Sequence, residues 1–127
     1  MRPIFSLARI LAIVGALTLI AGLAGPTAQA EELTFDLKIA QGRVPADMRV
    51  VRVKQGDVVK LRWTSDRLVV LHLHGYDIER TVQPGDTAEM SFTARVTGRF
   101  SITRGAPVTG GGHTHEASIV TLEVHPR

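Results

Sequence analysis

Four of the chain's five histidines fall in two His-x-His pairs, His72-Leu73-His74 and His113-Thr114-His115. Residues two apart on a strand share a face, with Cβ atoms about 6.5 to 7 Å apart, so two imidazoles can converge on one metal ion at nitrogen distances of about 2.0 Å. One such pair alone reads as a partly exposed strand end beside polar loop groups. Two pairs drawn from five histidines read as a joint metal site with four nitrogen ligands: His72, His74, His113 and His115. The chain has no cysteine, so no thiolate can join them. Imidazole-only ligation suits Cu(II) or Zn(II). Copper is the first choice because it stands above zinc in the usual affinity order, although four neutral nitrogens would also satisfy a tetrahedral zinc ion. Capture requires neutral imidazole, whose ordinary pKa is about 6.5, so uptake is expected to fall on acidification. Asp77, Glu79 and Glu116 are placed to accept a ring N–H and fix a tautomer, with plain surface solvation as the competing reading. His125, next to Pro126, reads as a solvated strand end.

The elements that must position these residues show the two-residue period of half-buried strands. In 33–40, Leu33, Phe35, Leu37 and Ile39 alternate with Thr34, Asp36, Lys38 and Ala40. Residues 48–53 and 58–63 form a strand, turn, strand unit around Lys54-Gln55-Gly56-Asp57. Further strands are expected over 67–73, 87–94, 99–103 and 117–124, with turn signals at Gln83-Pro84-Gly85-Asp86 and Thr97-Gly98. About seven short strands with turns every eight to twelve residues predict an all-β, Greek-key β-sandwich. No segment has helical periodicity. Residues 105–112, with Pro107 and three consecutive glycines, read as an irregular loop that ends in His113. Trp63, Phe92, Tyr76, Met48 and Met90 read most simply as packing residues, Tyr76 also being a candidate to cover the metal end beside Gly75, whose missing side chain permits a tight bend.

The first thirty residues read as a secretory signal peptide: Arg2 and Arg9 give a basic start, 10–23 is almost uninterruptedly apolar, and Ala28-Gln29-Ala30 is a small-residue cleavage signal. The apolar run is about fourteen residues, short of the roughly twenty that span a bilayer core as a helix. Residues 31–127 are then one exported domain, periplasmic or secreted, with no membrane contact after cleavage. The whole chain of 127 residues is 44% hydrophobic and 21% charged, which excludes disorder. Its formal charge is +3, but Arg2 and Arg9 are the only charged residues before Glu31, so the domain carries thirteen basic and twelve acidic residues. Near-neutrality and the lack of a polybasic stripe argue against a nucleic-acid partner. With disulfides unavailable, core burial must hold the domain; a chain of this size buries roughly 60 to 70% of its unfolded surface.

The run Lys54-Gln55-Gly56-Asp57-Val58-Val59, then His72-Leu73-His74-Gly75-Tyr76-Asp77, Val82-Gln83-Pro84-Gly85, Phe92-Thr93-Ala94, Thr97-Gly98-Arg99-Phe100 and Thr121-Leu122-Glu123-Val124-His125-Pro126 resembles the cupredoxins over nearly all of the domain. It is most similar to small exported cupredoxin-like proteins that lack a blue site. The resemblance implies a metal at one end of the sandwich. A histidine at the start of the central strand pair (His72 or His74) and residues of the loop before the last strand (His113, with His115 beside it) would hold it. It also shows a departure: Arg104 or a near neighbour stands where a blue-copper cysteine would be, and the weak axial methionine would fall near Ser118. A non-blue, all-nitrogen site is therefore expected.

These readings favour an exported protein that holds, buffers or delivers copper, with a copper-trafficking or redox protein as its partner. Two other classes compete: a copper redox enzyme or electron-transfer accessory, and a metal-free β-sandwich interaction module. Enzymatic activity is the weaker expectation, since no serine elbow or phosphate-binding loop is present. An N-terminal histidine brace is excluded if cleavage leaves Glu31 first.

Overall fold

The computed structural model describes residue 22, residues 29–105 and residues 117–127. Eight strands follow in order: β1 Glu32–Ile39, β2 Val50–Lys54, β3 Val58–Ser65, β4 Val69–Leu73, β5 Ile78–Val82, β6 Ala88–Thr93, β7 Gly98–Gly105 and β8 Ala117–His125, with a single 3-10 turn at Ala46–Met48. They form a β-sandwich with one sheet of order β1-β3-β6 and one of order β2-β8-β7-β4-β5. The pairs β1–β3 and β2–β8 are parallel and the other pairs antiparallel. This is the expected all-β sandwich.

The alternation in sequence becomes the alternation of faces. Val59, Leu61 and Trp63 of β3 point inward with Leu37, Ile39 and Met90. Val51, Val53, Leu71, Leu73, Ile102, Val120 and Leu122 meet them from the other sheet. Burying one such aliphatic side chain is worth about 1.5 to 3 kcal/mol, so the interleaved layers account for the stability of a domain without disulfides. Trp63 is fully buried and Phe92 packs partly buried against the same core, as their positions in the alternation predict.

Two features differ from the sequence reading. An eighth strand, β5, pairs only with β4, and its run Glu79-Arg80-Thr81 is exposed. An edge strand that buries little apolar surface leaves no periodic signal. Across the gap between sheets Arg80 Nε donates to the Glu89 carbonyl of β6 (3.1 Å), which ties that edge to the opposite layer. The expected strand, turn, strand unit is present, and its turn at Lys54-Gln55-Gly56-Asp57 carries the chain from the five-stranded sheet to the three-stranded one. Met48, expected to begin a strand, lies in the 3-10 turn and packs partly buried against the core.

Candidate metal centre

In β4, Val69, Leu71 and Leu73 enter the core, so Val70 and His72 stand half-buried on the outer face of the five-stranded sheet. His72 lies opposite Thr103 of β7 and Glu79 of β5. His74 follows the last strand residue, and its backbone N–H donates to the Ser101 carbonyl (3.0 Å), which extends the β4–β7 ladder and keeps its side chain on the same face as His72. The two ring centroids are 4.1 Å apart with planes tilted by 46°. The first pair therefore does what its spacing predicts and sets two imidazoles side by side. It sits at the end of β4.

Each ring has a polar neighbour. His74 Nε2 is 3.0 Å from Thr103 Oγ1, a hydrogen bond across the strands. His72 Nε2 is 3.8 Å from Asp77 Oδ1, beyond hydrogen-bond length but close enough for a charge to be felt. Asp77 is fully exposed and reaches this position from a residue with φ of +56°, in the turn that joins β4 to β5. Gly75 makes the same turn at φ +89°, and a Cβ there would lie 2.5 Å from the Phe100 ring. Only glycine lets the backbone pass so close, as the sequence reading anticipates. Tyr76 packs against Phe92 and Phe100, with centroids at 4.8 and 5.0 Å, and serves as an aromatic plug for the sandwich.

The second pair, His113 and His115, and Glu116 with it, lie outside the described residues. The residues that flank this segment belong to the same sheet as His72: Gly105 is in register with Val70, and Ala117 with Arg104. Both flanks are within two register positions of Thr103, the residue opposite His72. Among the described residues no group of three or more His, Cys, Asp and Glu side chains is arranged to hold an ion. The described donors fit a bidentate imidazole clamp and no more.

Arg104, near the position of a blue-copper cysteine, turns its Nε to the Gly42 carbonyl at 2.6 Å. A guanidinium cannot ligate a metal, so the sulfur-free character of the site holds at that position. His125 is exposed at the end of β8 and its Nε2 lies 3.2 Å from Glu123 Oε2. Arg52 and Arg99 also approach that carboxylate, at 3.3 and 3.4 Å. Burial pushes the Glu123 carboxyl up, but the His125 hydrogen bond and the two guanidinium charges outweigh it and hold the carboxyl below its ordinary value. His125 thus belongs to a surface ion cluster, as expected of a strand end.

One polar centre escaped the sequence reading. Asp57, only 2% exposed, accepts the Lys54 amide on Oδ2 (2.9 Å) and the Glu31 amide on Oδ1 (3.0 Å), and pairs with the Arg127 guanidinium. Burial raises its carboxyl, while the two backbone hydrogen bonds and the charges of Arg127 and Lys54 lower it further than burial lifts it. Its turn reads as ordinary polar surface because the partners that enclose it, Glu31 and Arg127, are 26 and 70 residues away.

No protein-family model matches the chain, and no curated protein does. Solved structures do. The periplasmic domain of subunit II of cytochrome oxidase from Bradyrhizobium japonicum superposes with a TM-score of 0.57 at 17% identity, covering 74% of this chain and 84% of that one. A copper binding protein solved in its apo form by NMR gives 0.54 at 12% identity, covering 78% and 93%. A heme-copper terminal oxidase chain gives 0.57 at 18% identity, and this chain spans 64% of it. At these identities the likeness is one of fold: the strand order and layering described above are those of the cupredoxin sandwich.

Proposed function

We propose that this cupredoxin-fold chain is an exported copper-holding protein that buffers the ion or passes it to a copper-trafficking or redox partner. Its ligands are His72, His74, His113 and His115. The observation that carries the reading is the pairing of the His72 and His74 rings at 4.1 Å on one outer face. Two rings so close on one face suit a shared ion. Covalent geometry supports the rest: His115 is two residues before Ala117 and His113 four, so at about 3.3 to 3.6 Å per residue their Cα atoms stay within about 7 and 14 Å of a residue on the same sheet as His72. Seven residues separate His113 from Gly105, ample chain for a return to that face.

Copper is favoured over zinc on ligand chemistry, and several fold neighbours are copper proteins by name, including the copper binding protein above and a copper-containing nitrite reductase from Thermus scotoductus. The leader of residues 1–30 supports a periplasmic or secreted location, and among the described residues no helix is long and apolar enough to cross a membrane. The chain's own part is to present imidazoles in a fixed pose: Thr103 holds the His74 ring, and the strand ladder holds both backbones.

The test is a Cu(II) titration of the purified protein followed by EPR, repeated with His72→Ala and His113→Ala. Each variant is expected to lose nitrogen hyperfine coupling and at least tenfold in affinity. Unchanged stoichiometry and affinity in both would overturn the assignment.

A further inference from the structure

The segment ahead of β1 is built into the fold at one atom. The Glu31 nitrogen lies 3.0 Å from Asp57 Oδ1, and the Glu31 carbonyl accepts the Val58 N–H at 2.9 Å, so Glu31 is fixed on both sides before the strand proper begins. Asp57 is buried, and the Arg127 guanidinium shares the same Oδ1. Arg127 also donates from Nε to the Gln55 carbonyl at 3.1 Å, and from Nη1 to the Gln29 carbonyl. Glu31 is also the residue that the cleavage signal Ala28-Gln29-Ala30 would leave first.

We propose that Asp57 is the receptor for the α-ammonium group that leader removal creates at Glu31. This rests on the reading that the leader is cut after Ala30. Hydrolysis of that peptide bond adds water across it: the carboxylate leaves with Ala30, and the Glu31 nitrogen becomes an ammonium in place. A neutral amide donor then turns into a charged one, 3.0 Å from a buried carboxylate, without any movement of the strand. Charge-assisted hydrogen bonds are roughly twice as strong as neutral ones, and here the accepting carboxylate is buried while Glu31 itself is exposed. Arg127 and Lys54 stand against the new cation and moderate the gain, while the Glu31 side-chain carboxylate offsets part of that repulsion. Maturation thereby locks β1 onto β3 and makes the processed chain the more stable form. Gln29, the residue through which the uncut chain meets Arg127, departs with the leader.

The sandwich lies wholly within residues 32–125, so a chain that starts at Glu31 retains every strand. The mass of the exported protein reads the cut site directly and is expected to correspond to residues 31–127. Thermal melting of that chain with a free amine, against the same chain acetylated on Glu31, is expected to differ by about 5 °C in favour of the free amine, and the gap should close in Asp57→Asn. Should Asp57→Asn fail to fold, acylation of the α-amine of the unmutated chain by a succinimidyl ester serves instead. It is expected to run at least tenfold slower in the folded protein than in urea. An exported chain that starts elsewhere, equal melting points for the free and acetylated forms, or equal acylation rates would each overturn the proposal. Copper plays no part in these measurements, so the ligand assignment can fail while this one stands.

Discussion

The outer face of β4 and the corner around Asp57 are both polar, yet they are built on opposite plans. His72 keeps 27% of its side chain exposed and has its nearest acidic neighbour at 3.8 Å, while Asp57 keeps 3% exposed and is closed in by two backbone amides and a guanidinium. A polar group sealed with its full set of partners is a structural element, because losing one partner leaves a buried charge unmet. A pair of rings held in place but open to solvent can exchange a partner for an ion. Burial and completeness of pairing, rather than residue type, separate the part of this molecule that holds from the part proposed to bind.

Breaking the two regions in turn sharpens that contrast. Asp57→Ala strands the Glu31 and Lys54 amides and the Arg127 charge in a closed corner and is expected to cost about 3 kcal/mol in urea unfolding, with Cu(II) affinity unchanged. The double variant His72→Ala, His74→Ala should do the reverse, with stability within about 0.5 kcal/mol of the parent and Cu(II) affinity down about a hundredfold, or about 2.7 kcal/mol, by calorimetry. Acid provides a third contrast. Because the Asp57 carboxyl titrates below its ordinary value when folded, its contribution is fully present above about pH 4 and is lost as pH falls through the folded value. Melting points of the parent should fall steeply in that window, and those of Asp57→Asn should fall less. Thr103→Val removes the hydroxyl that meets His74 Nε2 and is expected to weaken copper binding several-fold. Tyr76→Phe is the smallest change: the Tyr76 hydroxyl is buried and has no hydrogen-bond partner among the described residues, so removing it should leave both stability and affinity within error.

Much of the fold was legible in the residues, for a definite reason. Strands β1, β3, β6 and β8 each bury one face, and burial writes a two-residue period into sequence. The same period put His72 and His74 on one side. What stayed hidden depends on partners distant along the chain. β5 is an edge strand with polar Glu79, Arg80 and Thr81, so nothing marks it except its neighbour β4. A Lys-Gln-Gly-Asp turn serves a hairpin and a passage between sheets equally well. Here the Gly56 N–H donates to the Ala94 carbonyl and the Ala94 N–H donates to the Asp57 carbonyl, both at 2.8 Å, and these contacts settle the direction. The location of His72 and His74 at the end of β4 is likewise a matter of where the ladder with β7 runs out.

The parallel partnership of β1 with β3 and of β2 with β8 has a mechanical consequence. The first and last strands of the sandwich meet through one carboxylate, since Glu31 leads into β1 and Arg127 follows β8. Neither can peel away alone: removing the Arg127 side chain would loosen the entry to β1, far from it along the chain.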